Sequence, residues 1–187
     1  ADDHHIDSVL ALDVIDPDRV ARAGFTVCLD AVNGAGGSIG VRLLESLGCS
    51  VRGINLEPTG IFPRGAEPVP ENLGDLCALV RETGADIGFA VDPDVDRLSL
   101  VDGAGVAPGE EYTLAIAADF LFGKGVDAAA VNLSTSRMIE DAAARHGAAV
   151  HRSAVGEINV VNVMREKGAG FGGEGNGGVI YPPLHEG

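Results

Sequence analysis

The chain has 187 residues, 45% hydrophobic and 4% aromatic, with a formal net charge of −15. That length suits one large domain or two small ones, and the acidic balance argues against nucleic acid as a partner, since duplex binding needs a basic face. No apolar run reaches the ~18 residues of a membrane span, and the start ADDHHIDSV lacks the basic and apolar regions of a signal peptide, so a cytoplasmic protein with no membrane partner is expected. Of the 13 basic residues only Lys124 and Lys167 are lysines. Acidic surfaces with little lysine fit high-salt adaptation, where screening relieves self-repulsion; a GC-rich genome, which favours Arg over Lys, explains the bias equally well. Cys28, Cys49 and Cys77 form no CxxC or Cys/His cluster, so neither a disulfide framework nor a zinc site is implied.

In chain order, one or two short helices precede Gly24. A strand FTVCLD leads into the glycine-rich loop AVNGAGGS, followed by a helix to Gly48 and a strand near SVRGIN. The next segment, LEPTGIFPRGAEPVPEN, holds four of the nine prolines and suits neither a helix nor a central strand. A helix from Leu73 ends at Gly84, and the strands DIGFAV and RLSLVD flank a charged knot. GAGVAPG (103–109) reads as a turn or linker. The second half then runs helix EEYTLAIAADFLF, strand AAAVNL, a helix from Thr135 to His146, strand AVHRS, a helix from Glu157 to Lys167, and the segment GFGGEGNGGVIYPP. Glycines 48, 84, 147 and 168 stand where left-handed helix C-caps belong. Alternating helices and strands predict two α/β domains of similar size, joined near residue 105. The repeated grammar suggests a structural duplication.

The knot is Asp92-Pro93-Asp94-Val95-Asp96-Arg97. Carboxylates at every second position can converge on one hard cation, Mg²⁺ or Ca²⁺. The EF-hand pattern fails, because it requires glycine at the position of Arg97 and glutamate at that of Gly103. Arg97 is better suited to an anion beside the metal, such as a phosphate. A solvated acidic turn is the plainer alternative. The loop LDAVNGAGGSIG carries Gly34, Gly36 and Gly40, and Glu57 ends the next strand about where a dinucleotide fold places its ribose-binding acid. The spacing GxGxxxG departs from that fingerprint, and a tight strand-to-helix turn with Ser38 helping to cap the helix is favoured. In GFGGEGNGG the glycines make a poor core strand. They would leave Glu174 and Asn176 exposed, able to bind hydroxyl groups. Gly156 opens a helix whose N–H groups could meet an anion.

Together these segments resemble the α-D-phosphohexomutases, the phosphoglucomutase and phosphomannomutase superfamily. VCLDAVNGAGG resembles the opening of the family's second domain, and GIFPRGAEPVPENLGDL its F-P-x-x-x-P-x-P-E-N-L stretch. VDPDVDR resembles the D-x-D-x-D-R metal signature, GEEY the entry to the third domain, GGEGNGG the sugar-recognition loop, and YPPLHEG the segment after it. The resemblance implies two consecutive three-layer α/β domains with mixed sheets: residues 1–104 as the second domain and 105–187 as a shortened third. It implies Mg²⁺ held by Asp92, Asp94 and Asp96, Arg97 as the catalytic residue stabilising the transferring phosphoryl group, and Glu174 and Asn176 binding a hexose phosphate. It implies interconversion of hexose 1-phosphate and 6-phosphate through a phosphoserine and a 1,6-bisphosphate. The phosphoserine belongs to the family's first domain and a phosphate loop to its fourth. This sequence matches neither, so an internal fragment, inactive alone and partnered by those domains, is expected. Some members carry histidines where this chain has Glu157 and Gly178. Phosphoglucosamine mutase is an alternative. A nucleotide-binding oxidoreductase domain and a non-catalytic sugar-phosphate or metal-binding module are more distant ones.

Overall fold

The computed structural model describes residues 2–185; Ala1 and the Glu186–Gly187 end of YPPLHEG lie outside the described residues. The chain divides into two compact units, one ending at Gly109 and the other beginning at Glu110.

The first unit contains α1 (Asp2–Leu10), α2 (Pro17–Ala23), β1 (Thr26–Asp30), α3 (Gly36–Ser46), β2 (Ser50–Ile54), α4 (Gly74–Thr83), β3 (Ile87–Val91) and β4 (Leu98–Asp102). Its four-stranded sheet runs β2-β1-β3-β4. β1 is parallel to both β2 and β3, and β3 is antiparallel to β4. β1 is central and nearly all buried, hence its apolar TVCL run. Cys28, Ala90 and Val101 face Leu73, Leu76 and Val80 at and along α4. Leu29 approaches Gly40 of α3 on the opposite sheet face. The sheet is thus the middle of three layers.

The second unit contains α5 (Glu111–Gly123), β5 (Ala128–Asn132), α6 (Met138–His146), β6 (Ala149–Ser153), α7 (Glu157–Lys167), β7 (Phe171–Glu174) and β8 (Gly178–Ile180). The order β6-β5-β7-β8 repeats the first unit strand for strand, with the same parallel and antiparallel pairings. α7 covers Ala128, Ala130 and Ile180 through Val160, Val161 and Met164. Phe171 meets Phe122 of α5 edge to face, with ring centroids 5.1 Å apart. Gly84, Gly147 and Gly168 end their helices at φ of 63°, 70° and 66°, as the C-cap reading requires.

Four expectations are corrected. α6 begins at Met138, not Thr135, because the Asn132 side chain accepts the N–H groups of Ser134 and Thr135 and holds them in a turn. Ser38 lies inside α3 and does not cap it; α3 has no side-chain cap, and its N-cap residue is Ala35. Glu57 lies beyond the end of β2, exposed in the proline-rich loop. The glycine-rich β7 is a buried core strand between β5 and β8. Its glycines are there for space: a Cβ on Gly172 would stand 2.7 Å from the Ala130 carbonyl oxygen and 2.5 Å from the Met164 sulfur.

Gly172→Ala is therefore expected to destabilise the chain by about 1–3 kcal/mol through overpacking, read as a lower midpoint in urea unfolding. An unchanged midpoint would refute the close-approach account.

Candidate functional site

The antiparallel turn from β3 to β4 carries the aspartates. Asp92 is buried and receives the Arg97 N–H on Oδ1 at 3.1 Å, while Val95 N donates to the Asp92 carbonyl at 3.3 Å. Val95 sits at φ 69°, rare for a β-branched residue. Strain of that kind persists where surrounding contacts impose it, and it concentrates at functional loops. The turn brings together one ligand atom each from Asp92, Asp94 and Asp96, all within 4.8 Å of one another. Asp94 and Asp96 are exposed. Burial, a hydrogen bond with Asp96, and repulsion from Asp96 and Asp94 push the Asp92 carboxyl from 3.8 up to about 7, against the pull of the Arg97 N–H.

Arg97 faces this cluster from the start of β4. Its Nη1 donates to Glu67 at 2.9 Å, and its Nε lies 3.7 Å from Asp96 and 3.9 Å from Asp92. That Nε is buried and makes no hydrogen bond. Three mutually repelling carboxylates fit a hard cation, and a buried cationic donor beside them fits an anion bound at the same place.

The glycine loop seats this turn. Ala35 N donates to the Pro93 carbonyl at 2.8 Å, and a Cβ on Gly34 would lie 2.5 Å from Pro93 Cα. The backbone of the aspartate turn fills the space at Gly34 that a dinucleotide phosphate would need. A hollow of about 370 Å³ on the α3 side, lined by Val20, Phe25, Leu44 and Phe89 among others, includes no residue of the turn.

Two further residues had no part in the sequence reading. Asp30 ends β1 fully buried and accepts from Val32 N and Asn55 Nδ2 on Oδ1, and from Arg64 Nε on Oδ2 at 2.7 Å. Arg64 also donates to the Gly65, Ala66 and Val91 carbonyls. The available signal was a carboxylate closing an apolar strand.

In the second unit, Glu174 and Asn176 occupy the equivalent β7–β8 turn. The expectation of exposure is corrected: both are half-buried and bonded to their own unit. Glu174 Oε1 accepts from Asn132 Nδ2 at 2.5 Å and from Gly156 N at 3.1 Å, so the N–H at the start of α7 already serves an internal anion. Asn176 Oδ1 accepts Gly178 N at 3.1 Å, and its Nδ2 lies 3.5 Å from Glu174 Oε2. Asn132 Oδ1 accepts from the N–H and hydroxyl of both Ser134 and Thr135. Arg152 braces the same turn through the Asn132, Thr135 and Ser136 carbonyls and Glu140.

Asn132→Ala would leave these buried donors unpaired and is expected to cost about 2–4 kcal/mol, measured by denaturant unfolding. A loss below about 0.5 kcal/mol, the scatter of surface substitutions, would show that the network carries little.

The phosphoglucomutase/phosphomannomutase α/β/α domain II profile matches residues 3–105, and the domain III profile matches residues 109–186. A proposed phosphoglucosamine mutase of Methanopyrus kandleri is 38% identical over 174 residues, 92% of this chain and 38% of that protein. A phosphoglucomutase/phosphomannomutase of Thermococcus kodakarensis is 37% identical over 170 residues, 90% of this chain and 37% of that protein. A crystal structure of a phosphoglucomutase/phosphomannomutase family protein from Burkholderia thailandensis superposes with a TM-score of 0.78 at 27% identity, covering 90% of this chain and 38% of that one. The chain thus spans under two fifths of the length of these relatives. With both units matched, each by its own domain profile and in the family's order, the chain belongs to the phosphoglucomutase/phosphomannomutase family.

Proposed function

We propose that this chain supplies the cation-binding and sugar-recognising domains of a phosphohexomutase that interconverts hexose 1-phosphate and hexose 6-phosphate. The observation that carries the reading is the convergence of three carboxylates beside Arg97, whose buried Nε makes no hydrogen bond and lies within ion-pair reach of Asp92 and Asp96. Asp92, Asp94 and Asp96 are the residues that would hold Mg²⁺, which when bound neutralises charge on a phosphoryl group. Arg97 presents its guanidinium to that group and offsets the charge that develops on it during transfer. Glu174 and Asn176, on a turn braced by Asn132 and Gly156, orient the sugar by exchanging their present hydrogen bonds for its hydroxyls. The phosphorylated group that exchanges with the sugar comes from outside these residues, so the chain by itself binds without turning over. A cytoplasmic setting fits sugar-phosphate chemistry. No helix among the described residues is long and apolar enough to cross a membrane. The names of the relatives divide between glucosamine and glucose or mannose phosphates, so a hexosamine phosphate is the second substrate reading.

Calorimetric titration of the chain with Mg²⁺ tests the cation reading. Mg²⁺ at ten times its Kd is expected to stabilise the fold by about 1.4 kcal/mol. Asp94→Ala should abolish that gain while leaving metal-free stability within about 0.5 kcal/mol, because Asp94 is exposed. A large loss of metal-free stability in this variant would instead assign Asp94 to the fold.

The pH dependence follows from Asp92. Its carboxyl is raised in the fold from 3.8 to about 7. The folded chain therefore holds a proton that the unfolded chain has released, and this contribution to stability is full below about pH 4 and lost as pH rises through about 7. Mg²⁺ needs the carboxylate, so its affinity should rise about tenfold between pH 6 and pH 8. An affinity flat across that range would contradict the shared-proton description.

A further inference from the structure

We propose that the buried Asp30–Arg64 pair is the positioning device of the cation site, with Arg64 acting on Asp92 through the peptide that precedes it. The proposal rests on the reading of Asp92, Asp94 and Asp96 as that site. Arg64 reaches from the proline-rich loop to the carboxyl ends of the two neighbouring parallel strands β1 and β3. Its Nε donates to Asp30 Oδ2 at 2.7 Å and its Nη2 to the Val91 carbonyl at 2.8 Å. Nη1 donates to the Gly65 and Ala66 carbonyls at 2.9 and 3.3 Å. The Val91 carbonyl belongs to the peptide plane shared with Asp92, so holding it fixes the N–Cα axis of Asp92, and the Arg97 N–H on Oδ1 then settles the carboxylate about that axis. The pair is buried, with side-chain exposures of 9% for Arg64 and 1% for Asp30. Asp30 is itself oriented by Val32 N at 2.9 Å and Asn55 Nδ2 at 3.0 Å.

The second unit carries an independent instance of the same arrangement. Asn132 ends β5 as Asp30 ends β1, and its Oδ1 likewise accepts the N–H two residues on. Its Nδ2 reaches the end of β7 and donates to Glu174, which closes the third strand of the unit. In both units a polar residue closing the first strand thus reaches the end of the third: Asn132 directly at Glu174, and Asp30 through Arg64 at the Val91 carbonyl.

A planar fork with several donors can serve Asp30, the loop carbonyls and Val91 together; a lysine ammonium is a single point and cannot span them. Arg64→Lys therefore separates charge from positioning. Mn²⁺, whose free form is read by electron paramagnetic resonance, is the probe, titrated into the wild-type chain and into Arg64→Gln, Arg64→Lys and Asp94→Ala. Arg64→Gln should weaken Mn²⁺ binding about 10- to 100-fold, the loss typical of a group that orients a metal ligand, and should lower the melting temperature. Arg64→Lys should recover most of the melting temperature and little of the affinity. Recovery of both would show that charge alone matters, and a lowered melting temperature with unchanged Mn²⁺ affinity would reduce Arg64 to a structural role; either result overturns the proposal. Wild-type chain that binds no Mn²⁺, or Asp94→Ala that binds it as well, would sink the cation reading by itself. Amide hydrogen exchange without metal then decides the positioning claim alone. Arg64→Gln and Arg64→Lys should both speed exchange selectively in residues 92–97, relative to 87–90 and 98–102. A change spread evenly over the first unit, or absent from that turn, overturns it.

Discussion

A guanidinium and a carboxylate, both almost removed from water, meet at the carboxyl end of the first sheet. Burying such a pair carries a desolvation cost that attraction alone seldom repays. Here the remaining donors and acceptors are also engaged: Asp30 takes Val32 N and Asn55 Nδ2, and Arg64 gives to three carbonyls. The pair therefore contributes register more than net stability. It fixes the end of β1, the proline-rich loop and the start of the aspartate turn relative to one another. The glycine loop seats Pro93 in that same turn, and Arg97 follows it immediately before β4.

The second unit meets the same topological demand with neutral chemistry. Parallel strands expose the ends of their backbones and the starts of their helices at one edge, where ligand-binding turns collect. Asn132 serves that edge in the second unit, with its carbonyl oxygen taking four donors and its amide turned toward Glu174. The difference follows from the acids each end must host. Glu174 is a single carboxylate that the amide and Gly156 N satisfy directly. Asp92 shares its turn with two more carboxylates that repel it, so its backbone is held by Arg64 at the Val91 carbonyl while Arg97 faces the acids from the other side of the turn.

Helices, strands and their glycine caps were legible because each is set by short-range periodicity and by a single backbone conformation. The aspartate turn was legible too, since its three acids and Arg97 lie within six consecutive residues. What was not legible depended on approach at long range. Arg64 reads as an exposed loop cation until the fold places Asp30, 34 residues earlier, against it. β7 reads as a poor core strand because its glycines suggest weak propensity; only the packing of Met164 and the Ala130 carbonyl shows that larger side chains are excluded. Thr135 and Ser136 fit a helical pattern, yet the Asn132 side chain competes for their backbone and wins. In VCLD and AAAVN, the polar residue that closes a buried apolar strand was the one local sign of these networks.

Backbone contacts of the turn itself assemble the three acids. Val95 at φ 69° and the Arg97 N–H on Asp92 hold the acids in place, and the repulsion this creates is relieved by a proton held on Asp92 and by the guanidinium of Arg97. Under the proposed function, a bound cation would take the place of that proton. Arg97, whose Nε makes no hydrogen bond and whose Nη1 is held by the exposed Glu67, is the group that would meet an anion beside that cation. On the same reading, a cation on the carboxylates would weaken their hold on Arg97 and leave its charge for a phosphoryl group, so the two sites would be linked through the same three acids.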